Sequence, residues 1–298
     1  MRLSASNRRD LGLLFTIALS SFVPALFGDD KSAPKSKEEP VPDISAPTKE
    51  DLADQRMVFI KSALGQYTIR AGDRNEPARV SDPCLRWSNP VSGTKDGALA
   101  VFTFDGGRPV VIGQFHHTGP KNWVNEFAII ASDNVQIMRS ERPFWKPSEY
   151  ICKFADVPDS PVPAARPPLR LAQMRKIAAD FSVIDHFGWE ESQVAKHNLR
   201  LLPQPVYRYS EEGKILDGGL FVFVLGTDPE CNLLLEAYQD DKGSRYRYAF
   251  APMSIYELEA RYKDKEVWGI ERRIIFGANC SKYYALTYGA APGETIPD

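Results

Sequence analysis

An internal duplication, weak but in the same order along both halves of the chain, limits the architectures open to this sequence more than any local motif does. Leu52-Ala53 with Arg56 recurs as Leu171-Ala172 with Arg175, and Leu85-Arg86 ahead of Pro90-Val91 recurs as Leu199-Arg200 ahead of Pro205-Val206. Asp96-Gly97-Ala98-Leu99-Ala100-Val101-Phe102 returns as Asp217-Gly218-Gly219-Leu220-Phe221-Val222-Phe223. Phe127-Ala128 with Ser132 matches Phe250-Ala251 with Ser254, and Arg139 with Trp145 matches Arg261 with Trp268. Strands that open on Asp-Gly resemble one another by composition, so one pair alone carries little; the shared order of all of them carries the reading. A residue common to both halves is then a scaffold residue, because a scaffold is repeated whereas a catalytic constellation seldom is.

Each half reads as a helix followed by strands. Thr48 is suited to N-cap a helix over 50–64, with Leu52, Gln55, Val58, Phe59 and Ser62 inward and Gly65 as the stop. Its counterpart follows Pro167-Pro168 and is expected over 169–187, with Leu171, Met174, Ile177, Ala178 and Phe181 on one stripe and Asp185-His186 at an exposed helix end. Runs rich in β-branched and aromatic residues follow at 98–104, 109–116, 123–132 and 135–140, then at 220–225, 231–238, 246–253 and 256–262, separated by Asp, Gly and Asn turn chemistry. The expected fold class is α+β: two tandem helix-plus-antiparallel-β-meander repeats forming one pseudo-symmetric β-rich core. The repeats take residues 49–142 and 169–277, the proline-rich segment 143–168 straps them together, and 278–298 is read as a C-terminal tail.

The N-terminal segment gives an address. Arg2, Arg8 and Arg9 precede an apolar run over 11–27, and small and acidic residues follow at Gly28-Asp29-Asp30, which is the layout of a secretory signal spanning 1–28. The run contains Pro24 and is shorter than the ~20 residues of a membrane span, so cleavage is expected, with an uncleaved anchor as the alternative. Residues 29–48, with Pro34, Pro40, Pro42 and Pro47 among alternating charges, bury too little to repay their ordering entropy and read as a disordered linker. The protein is thus expected outside the cytoplasm, periplasmic or secreted, touching a membrane only through an uncleaved N-terminal segment. With 37 Lys and Arg against 39 Asp and Glu there is no electrostatic drive toward nucleic acid.

Candidate chemistry is sparse. His116-His117 ends a strand and Glu126 lies on the next, so one histidine and the glutamate could converge on a divalent metal, while strand alternation turns the other histidine away. No G-x-S-x-G elbow and no C-x-x-C pair occurs. Asp217, Asp228, Glu230 and Glu236 can be drawn as paired carboxylates, but Asp217 and Asp228 are read as turn residues that cap amides. Trp87, Trp123, Tyr207, Tyr209, Tyr246 and Tyr248 flank strand ends among polar residues and form the candidate binding face, suited to a carbohydrate or protein ligand. Cys84, Cys152, Cys231 and Cys280 allow three pairings if all are oxidised. No cofactor is implied. The function expected is a non-enzymatic binding or scaffold protein; the alternative is a metal-dependent hydrolase using His116 or His117 with Glu126.

Leu85-Arg86-Trp87-Ser88-Asn89-Pro90-Val91, the stretch from Leu201 to Tyr209 and Gly226-Thr227-Asp228-Pro229-Glu230 resemble motifs of a family of exported, uncharacterised proteins of planctomycete bacteria. The likeness covers roughly 50–275. It implies an extracytoplasmic origin and brings no catalytic residue with it.

Overall fold

Thr48 opens the first helix with a reciprocal cap: its Oγ1 accepts the Asp51 N–H at 3.1 Å while the Asp51 carboxylate accepts the Thr48 N–H at 2.8 Å, satisfying donors that the first turn leaves free. The computed structural model describes residues 48–288 apart from 91, 120–121, 132–133, 189–190, 273–278 and 281–283. The expected signal segment and linker lie outside the described residues, Thr48 excepted. Residues 46–298 form one compact unit.

Helix α1 (Lys49–Gly65) buries Arg56, Ile60, Ala63 and Leu64 and leaves Val58 68% exposed. The inward face expected from Leu52 and Val58 is therefore corrected. Apolar residues occur all round this helix, and the carboxylate of Asp96 beneath it selects the face that carries Arg56.

After α1 come β1 (Tyr67–Arg70), β2 (Arg79–Val80), β3 (Leu85–Asn89), β4 (Thr94–Thr103), β5 (Pro109–Gly119), β6 (Asn122–Ile129), β7 (Gln136–Arg139) and β8 (Arg142–Trp145). β4, β5 and β6 form a meander, β2 and β3 both pair with β4, and β1–β7–β8 is a separate small sheet. A short β9 (Ala155–Asp156) leads to α2 (Pro167–Ala179). Next are β10 (Phe181–Phe187), β11 (Ala195–Asn198), β12 (Arg200–Leu201), β13 (Tyr207–Glu211), β14 (Ile215–Leu225), β15 (Asp228–Asp240), β16 (Gly243–Pro252), β17 (Glu257–Tyr262) and β18 (Lys265–Ile270). Here β14, β15 and β16 form the meander, β12 and β13 pair with β14, and β10–β17–β18 with β11 is the separate sheet. All of these ladders are antiparallel, and the class is α+β, dominated by strand.

Three expectations are corrected here. The second helix ends at Ala179 rather than continuing to 187, because Phe181, Val183 and Asp185 alternate inward with Ser182 and Ile184, the two-residue period of a strand. The strap 143–168 is more than a linker: β9 extends the sheet alongside β16, and Val157 is buried in the core. Residues 278–298 are not simply a tail, since β19 (Asn279–Cys280) pairs with β20 (Tyr284–Tyr288), which adds to the first meander beside β6.

The two meanders face each other. Leu99, Val101, Ile112 and Ala128 of one sheet pack against Leu220, Val222, Leu234 and Ala251 of the other. The opposite face of the first meander is covered by α1 and the β1 sheet through Ile60, Leu64, Phe102 and Phe127. That of the second is covered by α2 and the β10 sheet through Met174, Phe181, Phe223 and Phe250. Sheets covered on both faces explain why β4 and β14 are nearly continuous apolar runs.

Candidate functional site

The aromatic binding face is not found. Trp87, Trp123, Tyr209, Tyr246 and Tyr248 are buried, and Tyr207 is half-buried with its hydroxyl donating to the Gly106 carbonyl at 2.8 Å. Alternation of aromatic and polar residues was read as one solvated face, whereas both faces of these sheets are covered, so the rings fill core positions. The Trp87 indole lies over Gly97 so closely that a Cβ there would stand 2.5 Å from it, and a Cβ on Gly218 would stand 2.4 Å from the Tyr209 ring. Tyr246 donates to Gln173 Oε1 of α2 at 2.8 Å, and Trp123 packs against Phe59 with ring centroids 4.6 Å apart.

The histidine pair divides as strand geometry requires. His117 turns outward from the sandwich onto Trp123, while His116 faces the layer between the sheets, its Nδ1 3.8 Å from Glu126 Oε2. That separation exceeds a hydrogen bond. Burial, and then the neighbouring His117, bring the His116 pKa down to about 4. Burial raises Glu126 to about 8, with hydrogen bonds from Tyr284 and Gln114 pulling it back and the Asp228 charge pushing it up. At neutral pH the two groups are an uncharged imidazole and a protonated acid rather than an ion pair. Among the described residues no group of three or more His, Cys, Asp or Glu is arranged to hold a metal ion.

Glu126 belongs to a larger assembly. Gln114 on β5 donates from one amide nitrogen to Glu126 Oε2 at 3.0 Å and to Asp228 Oδ1 of β15 at 3.2 Å, linking the two sheets. Burial raises Glu230 well above the usual range, and the charges of Asp228, Asp185 and Glu126 raise it further. Burial also brings Asp185 and Asp228 to about 7, the Gln114 hydrogen bond restraining Asp228. Both carboxylate oxygens of Asp185 and both amide ends of Asn232 are buried without a hydrogen-bond partner among the described residues. Four carboxyl groups in so little water cannot all ionise, so the cluster holds protons at neutral pH. Glu126, Asp185 and Glu230 are closed to solvent, and only Asp228, at the turn into β15, keeps partial access. Chemically the arrangement stores and releases protons, but it gives a substrate no entrance.

Sequence reading missed most of this cluster. It placed Asp185-His186 at a solvated helix end and Asp228 in an amide-capping turn; Asp185 is instead buried in β10. Gln114 and His116 alternating inside an otherwise apolar run were the available signal.

The remaining acids are structural. Glu236, fully buried, accepts from Arg108 at 2.6 and 2.9 Å, from Arg247 at 2.8 Å and from the Tyr209 hydroxyl at 2.8 Å, and both guanidiniums lie 4.7 Å from the Phe154 ring. Asp217 is no turn residue: it lies in β14, clamped by Arg208 at 2.7 Å and Arg170 at 3.4 Å. Asp96 in β4 is held the same way by Arg86 at 2.7 Å and Arg56 at 3.4 Å. Acids saturated by guanidinium are not free for acid–base work. Cys84, Cys152 and Cys231 are free thiols, with burial pushing Cys84 and Cys152 up to about 12; the Cys280 side chain lies outside the description. No family model, curated protein or solved structure matches the chain.

Proposed function

We propose that this is an exported, non-enzymatic binding or scaffold protein whose folded part consists of two copies of one helix-plus-meander unit. The observation that carries the reading is the pair of Arg–Asp–Arg clamps. Arg56 of α1 and Arg86 of β3 hold Asp96, and Arg170 of α2 and Arg208 of β13 hold Asp217. One residue after each aspartate stands a glycine under an aromatic ring, Gly97 under Trp87 and Gly218 under Tyr209. The turns after β7 and β17 agree too: Ser140-Glu141 has φ 46° and 65°, and Lys263-Asp264 has φ 46° and 67°. These correspondences keep Gly97 with Gly218 and Trp145 with Trp268 but correct others. Arg56 matches Arg170, not Arg175, and Arg86 matches Arg208, not Arg200; Leu52 accordingly does not match Leu171.

What the halves share is scaffold, and several ionisable groups in which they differ, His116, Glu126, Glu230 and Glu236 among them, are buried rather than displayed to solvent. This favours a structural or binding role over catalysis. Export rests on the basic head and apolar run over 1–28 and on the likeness to exported planctomycete proteins; with the aromatic face withdrawn, the carbohydrate or protein ligand loses its support. Metal analysis of the purified protein tests the reading. No stoichiometric zinc is expected, and one zinc per chain, lost in His116→Ala, would turn it toward the metal-dependent hydrolase.

A further inference from the structure

The second half carries a groove of 640 Å³ between the last turns of α2 and the chain that passes from β11 into β12, within the roughly 300–1,000 Å³ of small-molecule sites. Leu199, Leu201, Phe181 and Phe223 supply its apolar wall and floor, and Arg175 and Lys176 stand at its rim. The corresponding place in the first half, beside Lys61, is smaller, 270 Å³, and is flanked by an exposed ion pair between Lys61 Nζ and Asp82 at 2.9 Å. Ser81 N bonds to Val101 O as Leu202 N bonds to Val222 O, so Pro203 stands where the first half has Asp82. Arg175 therefore meets no carboxylate. Its Nε donates to the Pro203 carbonyl at 3.1 Å, and among the described residues neither Arg175 nor Lys176 forms an ion pair.

We propose that this groove binds a single-chain anionic amphiphile, a carboxylate at Arg175 and Lys176 with an alkyl tail along Leu199 and Leu201. The guanidinium fork fits a carboxylate, and beside it the lining is apolar except for Ser182. An extended peptide is disfavoured because β10, at the groove floor, already pairs with β11 on one side and β17 on the other and offers no free ladder edge. The proposal uses the duplication only to identify the smaller counterpart at Lys61; the groove itself does not depend on it.

The test is calorimetric titration of the full chain with sodium decanoate below its micellar concentration, with decyltrimethylammonium and acetate as comparisons. One saturable site for decanoate is expected, with neither comparison binding comparably. The double variant Arg175→Ala/Lys176→Ala should weaken it about tenfold or more, the loss expected for charged hydrogen bonds. Ala172→Trp, which fills the groove from the exposed face of α2 without altering charge, should abolish it, and Lys61→Ala should change nothing. No saturable binding, an unchanged affinity in the double variant, or equal binding of the cationic amphiphile would each overturn the proposal. A zinc-containing protein would defeat the non-enzymatic reading and leave these titrations as they are.

Discussion

Raising the pH from 6.5 to 8 should destabilise this protein, and the buried carboxyl cluster around Glu126 should be the main reason. A buried acid whose folded pKa lies above its unfolded value keeps a proton that the unfolded chain has released. Its stabilising effect is complete below the unfolded pKa and is lost as pH climbs to the folded one. Glu126 moves from 4.5 to about 8, which at about 1.4 kcal/mol per unit amounts to ~5 kcal/mol in all. His116 works the other way: lowered from 6.5 to about 4, it stays neutral in the fold, so its contribution is present above 6.5 and lost as pH falls toward 4. Below 6.5 the two slopes oppose each other; above it only the carboxyl groups remain. From 6.5 to 8 Glu126 alone should remove about 2 kcal/mol (1.5 units at ~1.4 kcal/mol each), Asp185 and Asp228 about 0.7 kcal/mol apiece before they flatten near 7, and Glu230, held well above its usual range, acts in the same direction. Urea unfolding at half-unit steps across this window measures the slope directly. Glu126→Gln keeps an acceptor for Tyr284 and should lessen the loss over the window by about 2 kcal/mol, leaving the share of Asp185, Asp228 and Glu230. A wild-type stability that is level or rising over the window, or an undiminished slope in Glu126→Gln, would refute the reasoning.

Three further outcomes concern the framework. Asp96→Ala and Asp217→Ala each leave two guanidiniums without their carboxylate. Each should cost about 2–4 kcal/mol in chemical denaturation, below the value for a fully buried pair because Arg86 and Arg208 are 43% and 39% exposed; a difference above ~2 kcal/mol between the two would argue against equivalent clamps. Gly97→Ala drives a methyl into the Trp87 indole and should cost about 1–3 kcal/mol, part of which Trp87→Leu in the same chain should restore. Val101→Ala and Val222→Ala, both fully buried between the meanders, should each lose about 1–3 kcal/mol, and a negligible loss at either would place it outside the packed layer.

Strand positions were legible wherever a segment is covered on both faces, because 98–104 and 220–225 are then apolar without interruption and turn residues bracket them. The start of α1 was equally plain, since Thr48 and Asp51 make a cap from local bonds alone. Features that depend on a distant partner were not legible. The inward face of α1 is chosen by Asp96, forty residues on, through Arg56. The strand at β10 is fixed by its pairing with β17, which nothing between Phe181 and Phe187 announces. Burial of Tyr246 and Tyr248 depends on α2 and the β10 sheet closing over β16, and a tyrosine between arginines looks the same whether its ring meets solvent or a helix. The carboxylate cluster was hidden for the same reason: Glu126, Asp185, Asp228 and Glu230 come from three strands of three sheets.

The layer between the meanders also shows how two like units can pack without becoming interchangeable. Opposite Gly97 on the neighbouring strand stands His116, and opposite Gly218 stands Glu236. Just ahead of Pro109 stands Arg108, and just ahead of Pro229 stands Asp228. Had both halves kept Arg108 and Glu236, the middle layer would hold the same ion-pair network twice, and each buried pair would bear its own desolvation cost. Instead one end is a hydrogen-bonded network in which Glu236 is satisfied by Arg108, Arg247 and Tyr209. The other end, where Gln114 joins Glu126 to Asp228, is a protonated cluster near neutral pH. The second end responds to pH in the physiological range, because acids held by an amide and by one another share protons near neutrality. Loosening on alkalinisation should therefore begin at the β5–β15 contact near Gln114, while the Arg108 side of the same interface stays closed.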